Sequence, residues 1–209
     1  MNKQIHECSL DRAGGLRHGA RRSRALSHGE IAMASLLFGE SIDYSRVRIH
    51  ARRYIPFQPR NCAMTPNGSM YFHRSCFLPD YTRGDPPAVH WFLHEMVHVW
   101  QHQLGYAVRL RGAVRIGLSY GYDLAPGKTL ADFNMEAQGD LLADYFALKH
   151  LGCPTAMRQR RYARSLPLYE ELLAGFLADP SDVANLPRDY GRCLLKLKRQ
   201  ARPGACSGN

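Results

Sequence analysis

Four histidines recur at every fourth position near the middle of the 209-residue chain. They are His90, His94, His98 and His102. Residues four apart on a helix lie one above the other, so two neighbouring imidazoles can bind the same cation. Glu95 completes the pattern His-Glu-x-x-His with the second and third histidines. This spacing predicts a zinc site with one Zn²⁺ per chain, in which His94 and His98 are ligands and Glu95 is the catalytic base that takes a proton from water.

A catalytic zinc ion requires a third protein ligand and one open position. Our candidate is Glu136, which lies 38 residues after His98 on a second predicted helix. Asp140 follows one turn later, where its carboxylate can orient a ligand histidine by accepting the other N–H of the ring. This Glu-x-x-x-Asp spacing is typical of glutamate zincins. Three alternative third ligands stay open: Asp144, His102 and His150. The competing interpretation is a solvated polar face that binds no metal.

Capping and turn signals predict the helices that position these residues. Asp85 and the two prolines after it indicate the start of a helix, and Gly105 indicates its end. The four histidines therefore lie on one largely buried helix. A second long helix is predicted from about Thr129 to His150, with Gly152 as its stop.

A short helix is predicted near the N-terminus. Ser27–Glu30 has the form of a capping box, and Gly39 is a natural stop. We expect the buried face of this helix to consist of Ile31, Ala34, Leu36 and Leu37. The alternation of Val47–His50 predicts a strand.

Further elements flank the two long helices. The dipeptide Asn67-Gly68 accepts the backbone angles of a tight turn, which predicts a hairpin between Cys62–Thr65 and Ser69–Phe72. Another helix is predicted at about Leu168–Ala178, before an Asp-Pro pair.

The positive charge of the chain is concentrated at its ends. The formal net charge is +10, yet residues 25–152 carry 12 Lys and Arg against 11 Asp and Glu. Because the central segment is nearly neutral and carries no nucleic-acid-binding motif, we expect no specific nucleic-acid partner. We divide the chain into three parts: a basic flexible arm at 1–25, one domain at 26–190 and a basic C-terminal tail at 191–209.

Composition excludes several other classes of protein. Hydrophobic residues at 45% and charged residues at 22% are typical of a globular domain. No run approaches the ~18 apolar residues of a membrane helix, and the first thirty residues lack the apolar stretch of a secretory signal. We therefore expect no transmembrane segment and synthesis without a signal peptide. The six cysteines include no Cys-x-x-Cys pair and so give no local support to a thiolate zinc site.

The motif and its neighbours resemble a known family. Leu93–Gln103 resembles the active-site helix of the small Vgr-related bacterial proteins and of the metallopeptidase domain at the C-terminus of certain VgrG spike effectors of type VI secretion. Other stretches are similar as well: Gly29–Ala32 with Phe38-Gly39, Ile42–Arg48, Pro56–Asn61 and Tyr122-Asp123. The likeness covers residues 27–152 and the segment Phe176–Arg188.

The resemblance implies a zincin-like α+β fold. In that fold a small antiparallel sheet packs with the motif helix, a second helix that bears the glutamate ligand, and additional C-terminal helices. The resemblance also implies a zinc metallopeptidase with a protein or peptide substrate, in which His94, His98 and Glu136 bind the metal and Glu95 is the base. It further implies a toxin-like antibacterial effector, made in the bacterial cytoplasm and delivered to the periplasm of another cell. A secretion-spike component and an immunity protein are the implied partners.

Several roles and two rival functions remain open. Candidate donors to the oxyanion formed during hydrolysis are Tyr120, Tyr122 and His102. The hairpin at Asn67-Gly68 can supply an edge strand for an extended peptide, and a capping or core role explains it equally well. One rival is a catalytically silent accessory protein that retains the scaffold and binds a secretion-spike or envelope partner. The other is salt-sensitive binding of nucleic acid or anionic envelope polymers by the basic arm.

Overall fold

Helices dominate the described part of the chain, which comprises residues 23–113 and 118–188 of this computed structural model. The strands are β1 (Ser23–Ala25), β2 (Arg48–His50) and β3 (Met70–Tyr71). The α-helices are α1 (His28–Phe38), α2 (Pro86–Gln103), α3 (Val108–Ala113), α4 (Met135–Lys149) and α5 (Leu166–Ala178). The combination of a small sheet with these helices confirms the α+β class.

The sheet has the order β1, β2, β3 and is mixed. β1 pairs with β2 in antiparallel fashion, with Arg24 opposite Ile49. β2 pairs with β3 in parallel fashion, with His50 opposite Tyr71. The prediction of an antiparallel sheet is therefore wrong for the second pair. The long connection over residues 51–69 returns the chain to the start of β2, so β3 runs in the same direction.

The predicted hairpin around Asn67-Gly68 is reduced to one bridge between Met64 and Tyr71. Gly68 has a φ of 74°, as the tight turn requires. The side chain of Gln58 takes the place of further backbone pairing. Its amide donates to the carbonyl oxygens of Cys62 at 2.7 Å and Tyr71 at 2.9 Å.

β1 lies in a segment that we predicted to be outside the fold. The interpretation of residues 1–25 as a flexible arm is wrong for Ser23–Ala25, which pair with β2. The reason is that Arg24 has a buried partner, because its guanidinium donates to both carboxylate oxygens of Glu30 at 2.6 and 2.7 Å. Residues 1–22 and the predicted tail at 191–209 lie outside the described residues.

α1 begins with the predicted capping box. The Ser27 hydroxyl accepts from the backbone N–H of Glu30, and the Glu30 carboxylate accepts from the backbone N–H of Ser27. The buried positions follow one helical stripe: Glu30, Ala34, Leu37 and Phe38. The predicted buried face is therefore wrong at Leu36, which lies off this stripe and is 56% exposed.

We expect Glu30→Ala to destabilise the fold by about 3–5 kcal/mol, because Arg24 would keep a largely buried charge without its partner. The buried carboxylate also accepts from the backbone N–H of Tyr81 at 2.8 Å. Urea denaturation measures the free energy of unfolding. Glu40→Ala is the matched control, since Glu40 is exposed and its loss should change stability by less than about 0.5 kcal/mol. Equally small changes in both variants would contradict the structural role of Glu30.

α2 matches its predicted boundaries. Asp85 caps the helix by accepting from the backbone N–H of Ala88 at 2.9 Å. The chain leaves the helix at Gly105, where φ is 93°. Most of α2 is buried, because other elements cover it on several sides, including α1, α3 and α4.

α4 begins later than predicted. The helix starts at Met135 rather than near Thr129, because the side chain of Asn134 accepts from the backbone N–H groups of Glu136 and Ala137 and caps it there. The preceding residues form a separate 3-10 turn at Leu130–Asp132.

α5 packs on the end of α2. The rings of Phe176 and Trp100 meet edge to face with centroids 5.3 Å apart. α5 begins at Leu166, two residues before the predicted start, because Pro167 is accommodated in the first turn of a helix. Among the described residues, none of the helices has the length and apolarity needed to cross a membrane.

Candidate metal centre

The side chains of His94, His98 and Glu136 converge between α2 and α4. The Nε2 atoms of the two histidines lie 3.2 Å apart. Oε2 of Glu136 lies 3.3 Å from Nε2 of His94 and 3.4 Å from Nε2 of His98. All three residues are buried. The structure therefore brings the three predicted ligands together in one cluster.

The triangle formed by these three atoms has the size of a tetrahedral metal site. Two ligand atoms that each lie about 2.05 Å from a metal at the tetrahedral angle are separated by about 3.3 Å. The measured separations are 3.2, 3.3 and 3.4 Å. A divalent cation such as Zn²⁺ fits this donor set, which consists of two imidazole nitrogens and a carboxylate oxygen.

His94 is oriented by α4. Its Nδ1 lies 2.8 Å from Oδ1 of Asp140. An ionised carboxylate only accepts, so Nδ1 carries a proton, and in the neutral ring Nε2 directs its lone pair into the cluster. Gly139 makes the approach of the ring possible, since a Cβ at this position would lie 2.6 Å from Cε1 of His94.

His98 is oriented by two buried glutamines that were not predicted from the sequence. Its Nδ1 lies 2.9 Å from Oε1 of Gln101. Nε2 of Gln101 donates to Oε1 of Gln138 at 2.9 Å. Nε2 of Gln138 donates in turn to the carbonyl oxygens of Leu130 at 2.9 Å and Asn185 at 3.0 Å.

This chain of amides has only one possible direction. Backbone carbonyls accept and never donate, so Gln138 must turn its NH₂ group toward them and its oxygen toward Gln101. Gln101 must then turn its oxygen toward His98. Nδ1 of His98 is therefore protonated, and Nε2 is left with the lone pair that a metal ion needs. The fold fixes the metal-binding tautomer of His98 through side chains that do not touch the metal position.

We expect Gln101→Leu to weaken zinc affinity by about 10- to 100-fold, because leucine cannot accept the Nδ1–H of His98. Competition with a chromophoric chelator measures the affinity, and ¹⁵N NMR of the metal-free protein reports the tautomer of His98. Gln103→Leu is the control on the same helix, since within residues 23–113 and 118–188 its side chain bonds only to the backbone of Asp43. Equal affinities in the two variants would contradict the orienting role of Gln101.

The charges around the cluster favour a cation. Burial lowers the pKa of His94, but its contacts with Asp140 and Glu136 outweigh burial and raise the pKa well above its ordinary value. Burial also lowers the pKa of His98, and Glu136 reverses this to a net increase. For Glu136 burial raises the pKa, while the two histidines bring it below its usual range. Protons and a metal ion therefore compete for the same site.

Glu95, the predicted base, is buried and is held by Thr65. The Thr65 hydroxyl donates to Oε2 of Glu95 at 2.6 Å, and both side chains are buried. Thr65 directly follows Met64, which forms a bridge with Tyr71 of β3. Thr65 was not predicted from the sequence, because its contact with Glu95 joins segments 30 residues apart.

Two predicted oxyanion donors are at least partly accessible. The ring of Tyr120 stacks on that of His94 with centroids 5.9 Å apart, and Tyr120 is 42% exposed. His102 is exposed and lies against Gly68, where a Cβ would come within 2.7 Å of its ring. His150, an alternative third ligand, instead packs against the ring of its neighbour Phe146. Neither His102 nor His150 joins the three-residue cluster.

The third predicted donor, Tyr122, belongs to a second buried network. Its hydroxyl donates to Oδ2 of Asp144 at 2.5 Å and contacts the hydroxyl of Tyr169. Nε2 of His90 lies 2.8 Å from Oδ1 of the same aspartate. Asp144 lies two helical turns, about 12 Å, from Glu136 along α4. The structure therefore places Tyr122 and Asp144 away from the cluster, in contacts that join α2, α4 and α5.

Fold and site together define an α+β protein with a buried group of two histidines and one glutamate that can hold a metal ion. No protein-family model matches the chain. A solved structure, the effector domain of Pseudomonas aeruginosa VgrG2b, is 44% identical with a TM-score of 0.57, and the match covers 67% of this chain and 82% of that domain. The chain belongs to the family of the VgrG2b effector domain.

The same relationship is found with a full-length protein. The chain is 45% identical over 138 residues to the type VI secretion system spike protein VgrG2b of Pseudomonas aeruginosa. The matched region is 63% of this chain and 14% of the spike protein. The chain therefore spans only a small part of the length of that relative.

Proposed function

We propose that the protein is a zinc-dependent metallopeptidase that hydrolyses peptide bonds as a type VI secretion effector. The observation that carries the proposal is the tetrahedral spacing of His94, His98 and Glu136, with Glu95 buried on the same helix as two of them. These three residues would hold one Zn²⁺. When bound, zinc supplies Lewis-acid chemistry, because it makes water acidic near neutral pH and polarises a carbonyl group.

Glu95 is the proposed general base. Its carboxylate takes a proton from the attacking water and passes this proton to the leaving amine. The hydrogen bond from Thr65 restricts the carboxylate to one orientation, while Asp140 and Gln101 restrict the two imidazoles. Such preorganisation lowers the cost of reaching the transition state. Tyr120 is the proposed oxyanion donor, because its partly exposed ring lies on His94.

We propose that an apolar cavity receives a side chain of the substrate. The cavity has a volume of about 600 Å³ and begins at His102, one turn of α2 beyond His98. Pro66, next to the residue that holds Glu95, forms part of its wall. The apolar part of the lining also includes Tyr106, Ala107, Val108 and Leu110. This lining favours a substrate with a large apolar residue near the cleaved bond.

The family relationship supports the effector role. The related domain is named as the effector domain of a type VI secretion spike protein. We propose that a spike component delivers this chain to another bacterial cell, where it cleaves a protein substrate and where an immunity protein opposes it. The buried Glu95 favours a peptidase over a catalytically silent accessory protein, because a scaffold has no need for a buried carboxylate that is not a metal ligand.

Metal removal tests the proposed function. The full chain is incubated with a library of peptides from a bacterial proteome, and mass spectrometry identifies new peptide termini. We expect cleavage by the zinc-loaded protein, its loss after chelation and its recovery after addition of about one equivalent of Zn²⁺. Cleavage that persists after complete chelation would contradict zinc dependence. Zinc-loaded, folded protein that produces no new termini would contradict peptidase activity.

A further inference from the structure

The segment from Tyr44 to Pro79 contains six arginines and no acidic residue. The arginines are Arg46, Arg48, Arg52, Arg53, Arg60 and Arg74, and all six are exposed. Within the described part of the chain, none of them forms an ion pair with a carboxylate. The segment therefore presents positive charge that no acidic side chain of its own neutralises.

Five of these arginines lie around two histidines of the sheet region. Burial lowers the pKa of His73, and Arg53, Arg60 and Arg74 lower it further. The pKa of His50 is lowered in the same way by burial and by two other arginines, Arg52 and Arg48. The backbone N–H of Phe72, the residue before His73, donates to the carbonyl oxygen of His50 at 3.0 Å. The segments that carry His50 and His73 therefore lie side by side. The five arginines Arg48, Arg52, Arg53, Arg60 and Arg74 thus lie around these two neighbouring histidines, and we call this group the basic face.

The loop between Arg53 and Arg60 carries an exposed apolar tip formed by Ile55 and Phe57. Phe57 is 93% exposed, so its ring contacts almost nothing of its own protein, and Ile55 is 45% exposed. Pro56 lies between them and is also exposed. Arg52, Arg53 and Arg60 flank the tip in the sequence. A single exposed apolar residue is ordinary, but two of them in a loop that also carries three exposed arginines indicate a binding surface.

The tip is held in place by Gln58, which is 1% exposed. Its side-chain oxygen accepts from the backbone N–H of Tyr54 at 2.7 Å, and its amide donates to the carbonyl oxygens of Cys62 and Tyr71. The backbone N–H of Gln58 also donates to the carbonyl oxygen of Ile55 at 3.1 Å. Gln58 points inward, and the neighbouring Phe57 points outward as a consequence.

We propose that the loop Arg52–Arg60 binds the surface of a membrane that contains anionic phospholipids. Phe57 and Ile55 enter the boundary between headgroups and acyl chains, and the arginines contact lipid phosphates. The apolar tip favours this partner over nucleic acid, because an aliphatic isoleucine gains nothing by stacking on bases. It also favours a bilayer over a folded acidic protein, because an interface of lipids accommodates a projecting side chain without a preformed pocket. This surface is separate from the metal centre and does not rest on the proposed peptidase activity.

Sedimentation with large unilamellar vesicles tests this proposal on the full chain at physiological salt. We expect binding to phosphatidylcholine vesicles that contain about one third phosphatidylglycerol, and little binding to phosphatidylcholine alone. Phe57→Ser should lower partitioning by about 10-fold or more. The double variant Arg52→Gln with Arg53→Gln should lower it by about 25-fold, since each charge near an anionic surface contributes about fivefold. Leu36→Ser is the matched control, because Leu36 is 56% exposed on α1 and lies outside the basic segment.

A fluorescence measurement separates insertion of this loop from binding by the basic terminal segments. Phe57→Trp should show a blue-shifted emission with anionic vesicles and quenching by lipids brominated on their acyl chains. The circular dichroism spectrum of each variant should match that of the parent chain, since Phe57, Arg52 and Arg53 are all exposed. Unchanged vesicle binding in the Phe57 and arginine variants would assign binding to the termini and overturn the proposal. The same blue shift with soluble polyglutamate or single-stranded DNA would overturn it in favour of an acidic macromolecule.

Discussion

Glu95→Gln is expected to lower the rate of peptide hydrolysis by about 10²- to 10⁴-fold, which is the usual contribution of a general base. Glutamine has the size of glutamate and can still accept the hydrogen bond from Thr65, but it cannot take a proton from water. The three clustered donor atoms belong to other residues, so zinc content should stay near one ion per chain. The rate is measured on a peptide from the cleavage screen, and the metal content is measured on the same sample.

A matched variant excludes a general effect of removing one negative charge. Glu40→Gln makes the same chemical change at an exposed position, and its activity should equal that of the parent chain. Full activity in Glu95→Gln with zinc retained would show that another group is the base. Loss of zinc in this variant, with hydrolysis intact, would refute both the assigned base and the need for metal.

Local sequence signals were sufficient to predict the helix that carries the motif. The cap at Asp85 and the glycine at the other end are short-range features, and the relation among His94, Glu95 and His98 is fixed by helix geometry alone. The prediction of Glu136 as a ligand depended on a second predicted helix. The start of that helix was mispredicted, yet a one-turn spacing puts Glu136 and Asp140 on one face wherever the helix begins.

The contacts that orient the site could not be predicted in the same way, because they join distant segments. Thr65 meets Glu95 across 30 residues, and Gln101 meets Gln138 across 37. Two signals pointed toward them. A glutamine inside a buried stretch of helix requires a partner for its amide. A glycine inside a helix, such as Gly139, indicates that another group approaches the backbone closely.

The strands were the least predictable elements. β1 has three residues and β3 has two, which is too short for alternation to define a buried face. Their position depends instead on side chains such as Arg24, whose partner Glu30 lies inside the next helix. The parallel pairing of β2 with β3 follows from the path of the connecting loop, which carries no local signal for direction.

Glu136→Ala is expected to weaken zinc binding by far more than Asp140→Ala does. Removing Glu136 takes away one of three donor atoms and the negative charge that faces both imidazoles. Removing Asp140 leaves the three donors in place and takes away only the group that accepts from Nδ1 of His94, a loss of about 10- to 100-fold. Zinc dissociation constants, measured by chelator competition at one pH, give the comparison directly.

The order of the two effects decides which carboxylate is the third ligand. Glu170→Ala serves as the control on α5, because its contact with Lys149 is an exposed ion pair remote from the cluster. A larger loss for Asp140→Ala than for Glu136→Ala would mean that Asp140 binds the metal, and that His94 turns its other nitrogen toward α4. Equal losses would mean that the two carboxylates act as one unit, in which the orientation of His94 matters as much as the third donor atom.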